Sequence, residues 1–212
     1  MGKNKVIVIL GTTASGKTDL ALALAKKFHG EIISADSRQV YRGMDIGTGK
    51  DLNKNKKNKI PYHLIDVISP KRQCTLAQYQ KLAYQKINDI VQRGKLPIIC
   101  GGTGLYIDAV VEGYKLHTLK ISDYELKKNR KRLDTYSLKK ILLLLKKLDK
   151  RTYNIIDKKN RRRVQRALEI FYTTGKKKSD INTSSDPPYR FLKIGITHPK
   201  DELIKKISQR LN

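Results

Sequence analysis

Eight residues, Gly11-Thr12-Thr13-Ala14-Ser15-Gly16-Lys17-Thr18, constrain this chain more than any others. They fit the phosphate-loop pattern G-x-x-x-x-G-K-[ST] in full. Before them runs Val6-Ile7-Val8-Ile9-Leu10, β-branched and apolar; after them comes Asp19 to Lys27, rich in helix formers. A strand, a glycine loop and a helix start are the setting in which backbone N–H groups and the positive end of a helix dipole cradle phosphate. Lys17 is placed to pair with phosphate oxygens, and Thr18 to reach a Mg2+ ion. The chain is therefore expected to bind a di- or triphosphate. A nucleotide such as ATP is the default occupant of such a loop, but the motif alone does not name it.

The alternation continues through residue 112. Glu31 to Asp36 reads as a second strand ending in a carboxylate, and His63 to Val67 as a third short apolar run. Residues 50–60 read as a polar, Lys/Asn-rich surface loop. Thr75 to Arg93 reads as a helix stopped by Gly94. Leu96 to Cys100 is a buried strand running into Gly101-Gly102-Thr103-Gly104, with a further helix from Leu105. Strand character resumes over Phe191 to Ile196. Such alternation predicts an α/β fold, a P-loop NTPase-like parallel sheet with helices on both faces.

Residues 113–183 show helical patterning without strands. Leu138, Ile141, Leu142, Leu145 and Leu148 fall on one helix face, and Asn160 to Gly175 reads as another helix. The expected organisation is a core over residues 1–112, an inserted all-helical basic subdomain over 113–183, and a return strand and helix over 184–212. The Ser/Pro-rich stretch Asp180 to Pro188 is the linker back.

The formal net charge is +27, from 33 Lys and 13 Arg against 19 acidic residues, which favours a polyanionic partner. Asn-Lys runs such as residues 53–59 show that coding bias contributes. Uniform bias does not explain the distribution: residues 113–178 carry +16, residues 1–112 carry +9 and residues 179–212 carry +2. The two cysteines, Cys74 and Cys100, lack metal-type spacing and read as reduced thiols of a cytoplasmic protein. No signal-peptide pattern and no membrane-spanning apolar run appears, so no membrane association is expected.

Asp36 stands at a strand's carboxyl end, one strand from the loop. General base, magnesium ligand and helix N-cap are all open to it. The glycines of Gly101 to Gly104 suit either close approach of a ligand or a tight strand-to-helix turn. Arg161-Arg162-Arg163-Val164-Gln165-Arg166 opens the basic helix, with Arg162 and Arg166 four residues apart on one face. Solvated surface is the ordinary fate of such a run, but the +16 setting favours nucleic-acid phosphates. No DNA-reading motif appears, and backbone or shape recognition of RNA fits better.

Taken in order, Gly11 to Thr18, Ile33 to Tyr41, Gly43 to Lys50, Pro61 to Asp66, Gly101 to Tyr106, Arg163 to Glu169 and Thr173 to Lys176 resemble the tRNA dimethylallyltransferase, or tRNA isopentenyltransferase, family. The resemblance implies transfer of a dimethylallyl group from dimethylallyl diphosphate to N6 of adenosine 37, in the anticodon stem-loop of tRNA. The loop Gly11, Thr12, Thr13, Ala14, Ser15, Gly16, Lys17 and Thr18 would then hold the leaving diphosphate with Mg2+ at Thr18, joined by Arg210. Asp36, Thr13 and Lys17 take the catalytic positions. Asp36, Ser37, Arg38, Gln39, Thr103, Arg162, Arg163, Val164, Gln165 and Arg166 match tRNA-contacting positions. A monomer is expected. Thr12 stands where the family usually has Pro, a mild change in a loop that works through backbone N–H groups. Family members also continue beyond Arg210, so a fragment, a truncated gene and a minimal form stay open. A small P-loop kinase and a non-catalytic RNA-binding remnant are the competing readings.

Overall fold

β-branched residues lose little side-chain freedom in a strand, and alternation sends their side chains to opposite faces of a sheet. The first strand shows the result in the computed structural model, which describes residues 2–46, 48, 50, 59–116, 123–180 and 185–211. In β1 (Lys5–Gly11), Val6 and Val8 point to one face and Ile7 and Ile9 to the other. The chain continues through α1 (Lys17–Lys27), β2 (Gly30–Ser34), β3 (Tyr62–His63), α2 (Leu76–Gln92), β4 (Leu96–Gly101) and α3 (Gly104–Val111). A helical unit follows with α4 (Asp123–Asp134), α5 (Leu138–Leu148), α6 (Lys150–Ile155), α7 (Arg161–Thr174) and a 3-10 turn at Lys178–Asp180. The chain returns with β5 (Arg190–Ile196) and α8 (Lys200–Leu211). It divides into two compact units, residues 1–114 with 185–212, and residues 115–184.

The first unit is a five-stranded sheet in the order β3-β2-β4-β1-β5, with every pair parallel. β4 lies between β1 and β2, Ile98 opposing both Ile7 and Ile32. Ile9, Ile32 and Ile98 pack on Ala21, Leu22 and Ala25 of α1. On the other face Val8, Ile33 and Ile99 meet Tyr79, Ile87 and Ile90 of α2 and Ile107 and Val110 of α3. Each large aliphatic side chain so buried contributes about 1.5–3 kcal/mol. The hydroxyl of Thr75 accepts from the Gln78 N–H at 3.2 Å and caps α2.

Two expectations change. The run His63 to Val67 pairs with β2 only over Tyr62 and His63, because Leu64 and Asp66 take left-handed φ angles of 61° and 58° that no strand accommodates. The polar segment read as a surface loop begins at Lys50, whose side chain is fully buried. Residues 51–58 lie outside the described residues.

In the second unit Leu133 of α4, Ile141 and Leu145 of α5, and Val164, Ala167 and Leu168 of α7 make one apolar core. The face read from Leu138 to Leu148 supplies α5's share. Asp149, almost fully buried, joins two elements. It accepts from the Thr152 N–H at 3.0 Å and its hydroxyl at 2.6 Å, and from the Ser179 N–H at 3.0 Å. Burial alone would raise its pKa, but the Thr152 and Ser179 hydrogen bonds outweigh it and hold the carboxyl down at about 2.

Glycine is required at two strand ends. A Cβ on Gly101 would overlap the Ala35 carbonyl and lie 2.7 Å from the Ala35 Cα. A Cβ on Gly11 would lie 2.5 Å from the Ile196 carbonyl oxygen.

Gly101→Ala is expected to destabilise the fold by about 3 kcal/mol, because rigid backbone cannot yield. Gly104→Ala, with no atom within 4 Å of the new methyl, stays within about 0.5 kcal/mol in urea unfolding. Asp149 is depressed in the folded state, so its contribution is present above its ordinary value of 3.8 and is lost as pH falls toward 2. Asp149→Ala should cost about 2 kcal/mol at neutral pH, and the gap to wild type in unfolding experiments should begin to narrow near the ordinary value of 3.8 and close as pH falls toward 2.

Candidate active site at the strand ends

The sheet order creates a crevice. After β1 the chain crosses β4 to reach β2, whereas after β4 it returns on the far side of β1, as β5. Connections diverging from neighbouring strands leave a cleft at their carboxyl ends. Gly11, Thr12, Gly101, Gly102, Thr197 and His198 are among the residues that line it.

One wall is the phosphate loop, Gly11 to Thr18. Ala14 and Gly16 both take left-handed φ angles, 62° and 84°, which turns successive N–H groups to one side. α1 starts at Lys17, so its first-turn N–H groups face the same space. Lys17 Nζ donates to the Thr12 carbonyl and lies 3.4 Å from the hydroxyl of buried Ser15. Thr12 and Thr13 are exposed, and Thr18 is half-buried. Behind the loop, burial pushes the Cys100 thiol up to about 11; it and Cys74 are buried and unbridged.

A second group of residues follows β2, on the other side of β4 from the phosphate loop, and is not part of that cleft's lining. Asp36 Oδ1 accepts from the N–H groups of Arg38 at 2.8 Å and Gln39 at 3.4 Å, so the carboxylate organises a turn on itself. The turn is tied to the end of β4: Thr103 Oγ1 accepts from the Ser37 N–H at 2.9 Å, and the Thr103 N–H donates to the Ala35 carbonyl at 3.1 Å. The Ser34 hydroxyl donates to Gln39 Oε1 at 3.2 Å. Between the two groups, a Cβ on Gly102 would stand 3.5 Å from the Gly11 carbonyl oxygen. Gly101 therefore serves backbone-to-backbone contact, while Gly102 faces across to the phosphate loop.

Lys50 closes the segment after the Asp36 turn. Its ammonium donates to the Tyr41 carbonyl at 2.6 Å, Asp66 Oδ1 at 2.5 Å and Asp45 Oδ1 at 2.9 Å. Below, the buried hydroxyl of Tyr79 donates to the Ser34 carbonyl at 3.0 Å while its ring stacks on Tyr106 at 3.9 Å. Sequence reasoning assigned neither Lys50 nor Tyr79 a part.

The basic helix α7 belongs to the second unit. Arg162 and Arg163 are exposed and make no ion pair among the described residues. Arg166 is exposed and pairs with Glu169 at 3.1 Å. Arg161 instead reaches inward, donating to the Leu133 carbonyl at 3.0 Å and the Tyr136 carbonyl at 2.6 Å. Val164 is in the core, and the Gln165 amide donates to Asp134 at 2.7 Å. Arg210 falls in the last turn of α8, and its side chain lies outside the described residues. No group of three or more His, Cys, Asp or Glu suited to a metal occurs among the described residues. Nor is any helix there long and apolar enough to cross a membrane.

A family model described as IPP transferase matches residues 39–212. The chain is 39% identical over 215 residues to the tRNA dimethylallyltransferase of Pelotomaculum thermopropionicum, covering 99% of this chain and 67% of that protein. It is similar to the full-length tRNA isopentenylpyrophosphate transferase of Bacillus halodurans, with a TM-score of 0.65 and 38% identity over 99% of this chain and 65% of the other. It is also similar to a eukaryotic dimethylallyltransferase acting on tRNA, with a TM-score of 0.75 and 30% identity over 98% of this chain and 53% of the other. The chain spans about two thirds of the length of the bacterial relatives it matches.

Proposed function

The chain belongs to the IPP transferase family, that of the tRNA dimethylallyltransferases, and from that premise we propose that it transfers a dimethylallyl group from dimethylallyl diphosphate to N6 of adenosine 37 of tRNA, releasing diphosphate. The observation that carries the reading is the placement of two groups at the carboxyl ends of the sheet. A phosphate-binding loop and a carboxylate follow β1 and β2, on either side of β4, with glycine backbone between them.

An exocyclic amine is a weak nucleophile, so the electrophile must be activated. As the allylic C–O bond breaks, its electron pair leaves with the diphosphate. The N–H groups of Gly11 to Thr18 and the Lys17 ammonium stabilise that charge, with Arg210 as a further cation. The N6 lone pair forms the new N–C bond, and the N6 proton passes to Asp36. Asp36 Oδ1 is held by two backbone N–H groups, while Oδ2 makes no hydrogen bond among the described residues and is the oxygen that receives the proton. Thr13, exposed at the tip of the loop, helps place the reacting groups.

Family membership implies a divalent cation. A half-buried hydroxyl at a helix start is a donor of the hard type Mg2+ takes, and Thr18 is the residue that would hold it. When bound, the ion would neutralise charge on the diphosphate.

The adenine must leave its stack to reach the cleft, as in other enzymes that modify bases. Ser37, Arg38, Gln39 and Thr103 border its path. Arg162, Arg163 and Arg166 engage RNA phosphates, with Val164 and Gln165 fixing the helix face that presents them. The protein would act as a cytoplasmic monomer.

Purified chain given Mg2+, dimethylallyl diphosphate and unmodified tRNA, followed by digestion and mass analysis of the nucleosides, should yield prenylated adenosine. Asp36→Asn should lower kcat by at least about 100-fold. Salt-sensitive tRNA binding without product would identify an RNA-binding remnant, and ATP consumption with a small acceptor a kinase. Replacing Arg162 and Arg163 together by Ala should weaken tRNA binding and flatten its log–log salt dependence by roughly two units.

A further inference from the structure

The connection after β5 ends at His198, which lines the cleft and reaches the phosphate loop from outside. Its Nε2 lies 3.1 Å from the Ser15 carbonyl oxygen. A carbonyl oxygen only accepts, so Nε2 carries a proton and the ring donates. The imidazole is 21% exposed. Two residues of α8 hold it: Lys206 Nζ lies 3.3 Å from Nδ1 and 3.1 Å from Nε2, and Glu202 Oε2 lies 3.5 Å from Nδ1. With Nε2 committed to Ser15, Nδ1 is the ring atom that accepts from Lys206. His198 precedes α8 by two residues, and Glu202 and Lys206 follow within the first two turns of that helix, so the cluster is local in sequence.

We propose that His198 is a positioning residue of the phosphate loop, an inference that rests on the diphosphate reading of that loop. The Ser15 carbonyl and the Gly16 N–H belong to one peptide unit. A hydrogen bond to its oxygen draws electron density from its nitrogen and makes the Gly16 N–H a stronger donor toward a phosphate oxygen. The same bond fixes the plane of a peptide that leads into left-handed Gly16 and lies one residue beyond left-handed Ala14, whose conformation costs energy to hold. Lys206, donating to Nδ1, holds the ring in its donating orientation. His198 takes no part in proton transfer from N6, so its effect falls on the binding and the departure of the diphosphate.

The test is calorimetric binding of inorganic pyrophosphate with Mg2+ to the full chain. Wild type is expected to bind. His198→Ala should weaken binding about five- to tenfold, the worth of one hydrogen bond. His198→Gln, whose amide N–H can reach the Ser15 carbonyl, should recover most of it. Lys206→Met, which leaves the ring but removes the partner of Nδ1, should weaken binding about two- to threefold. kcat/KM for dimethylallyl diphosphate should follow the same order, while KM for tRNA stays at its wild-type value. Equal pyrophosphate affinity in wild type and His198→Ala, or a Gln variant as weak as the Ala variant, would overturn the proposal. A wild-type chain that binds no pyrophosphate would instead overturn the diphosphate reading, and this inference with it.

Discussion

The site depends on strand ends packed closer than side chains permit. The Ala35 carbonyl occupies the place where a side chain on Gly101 would stand, and the Ile196 carbonyl does the same for Gly11. These contacts draw the ends of β2 and β4, and of β1 and β5, to backbone distance. The candidate site hangs from those ends: the phosphate loop from β1, the Asp36 turn from β2, Thr103 from β4 and His198 from β5. A lateral shift of one strand would move part of that site. The Tyr79–Tyr106 stack beneath, with its hydrogen bond to Ser34, resists that shift from the side of the helices.

Local signals were legible in the sequence. The strand before Gly11, the helix after Lys17 and the helix from Thr75 to its Gly94 stop are each written within a few neighbouring residues, and the structure has them within a residue or two. The face of α5 was equally readable, since a 3.6-residue period needs no tertiary information. Less legible was anything set by distant partners. His63 to Val67 reads as an apolar run, but left-handed Leu64 and Asp66 end its pairing after two residues. Lys50 sits at the edge of a Lys/Asn-rich stretch and looks like its neighbours. Only the meeting of Asp45, Asp66 and the Tyr41 carbonyl makes it a buried cation. In α7 the same period that served for α5 would have put Val164 on the apolar face with Leu168, apart from the arginines around it. His198 carried no signal, because its partner, the Ser15 carbonyl, lies far off along the chain.

Charge is used in two ways in the helical unit. Arg161 and Arg130 act as structural donors, one to carbonyls at the end of α4 and the other to buried Glu169. Arg162 and Arg163 are left to solvent. Adjacent residues of one run thus differ in kind, because consecutive positions on a helix point about 100° apart. Composition reports the total charge; only the fold separates the part spent on structure from the part available to a polyanion.

β5 has one hydrogen-bonded neighbour, β1, and closes the sheet on that side. Its outer row of backbone donors and acceptors faces away from any strand among the described residues, and Leu192 is 60% exposed along it. An open, partly apolar sheet edge is a template for another chain to add a strand. Arg190 and Lys193 put positive charge on the same strand, and two copies meeting edge to edge would bring those charges together. Edge-to-edge pairing of two copies would therefore be opposed by Arg190 and, less strongly, by Lys193, which also pairs with Glu112 at 3.2 Å, and added salt would screen that opposition.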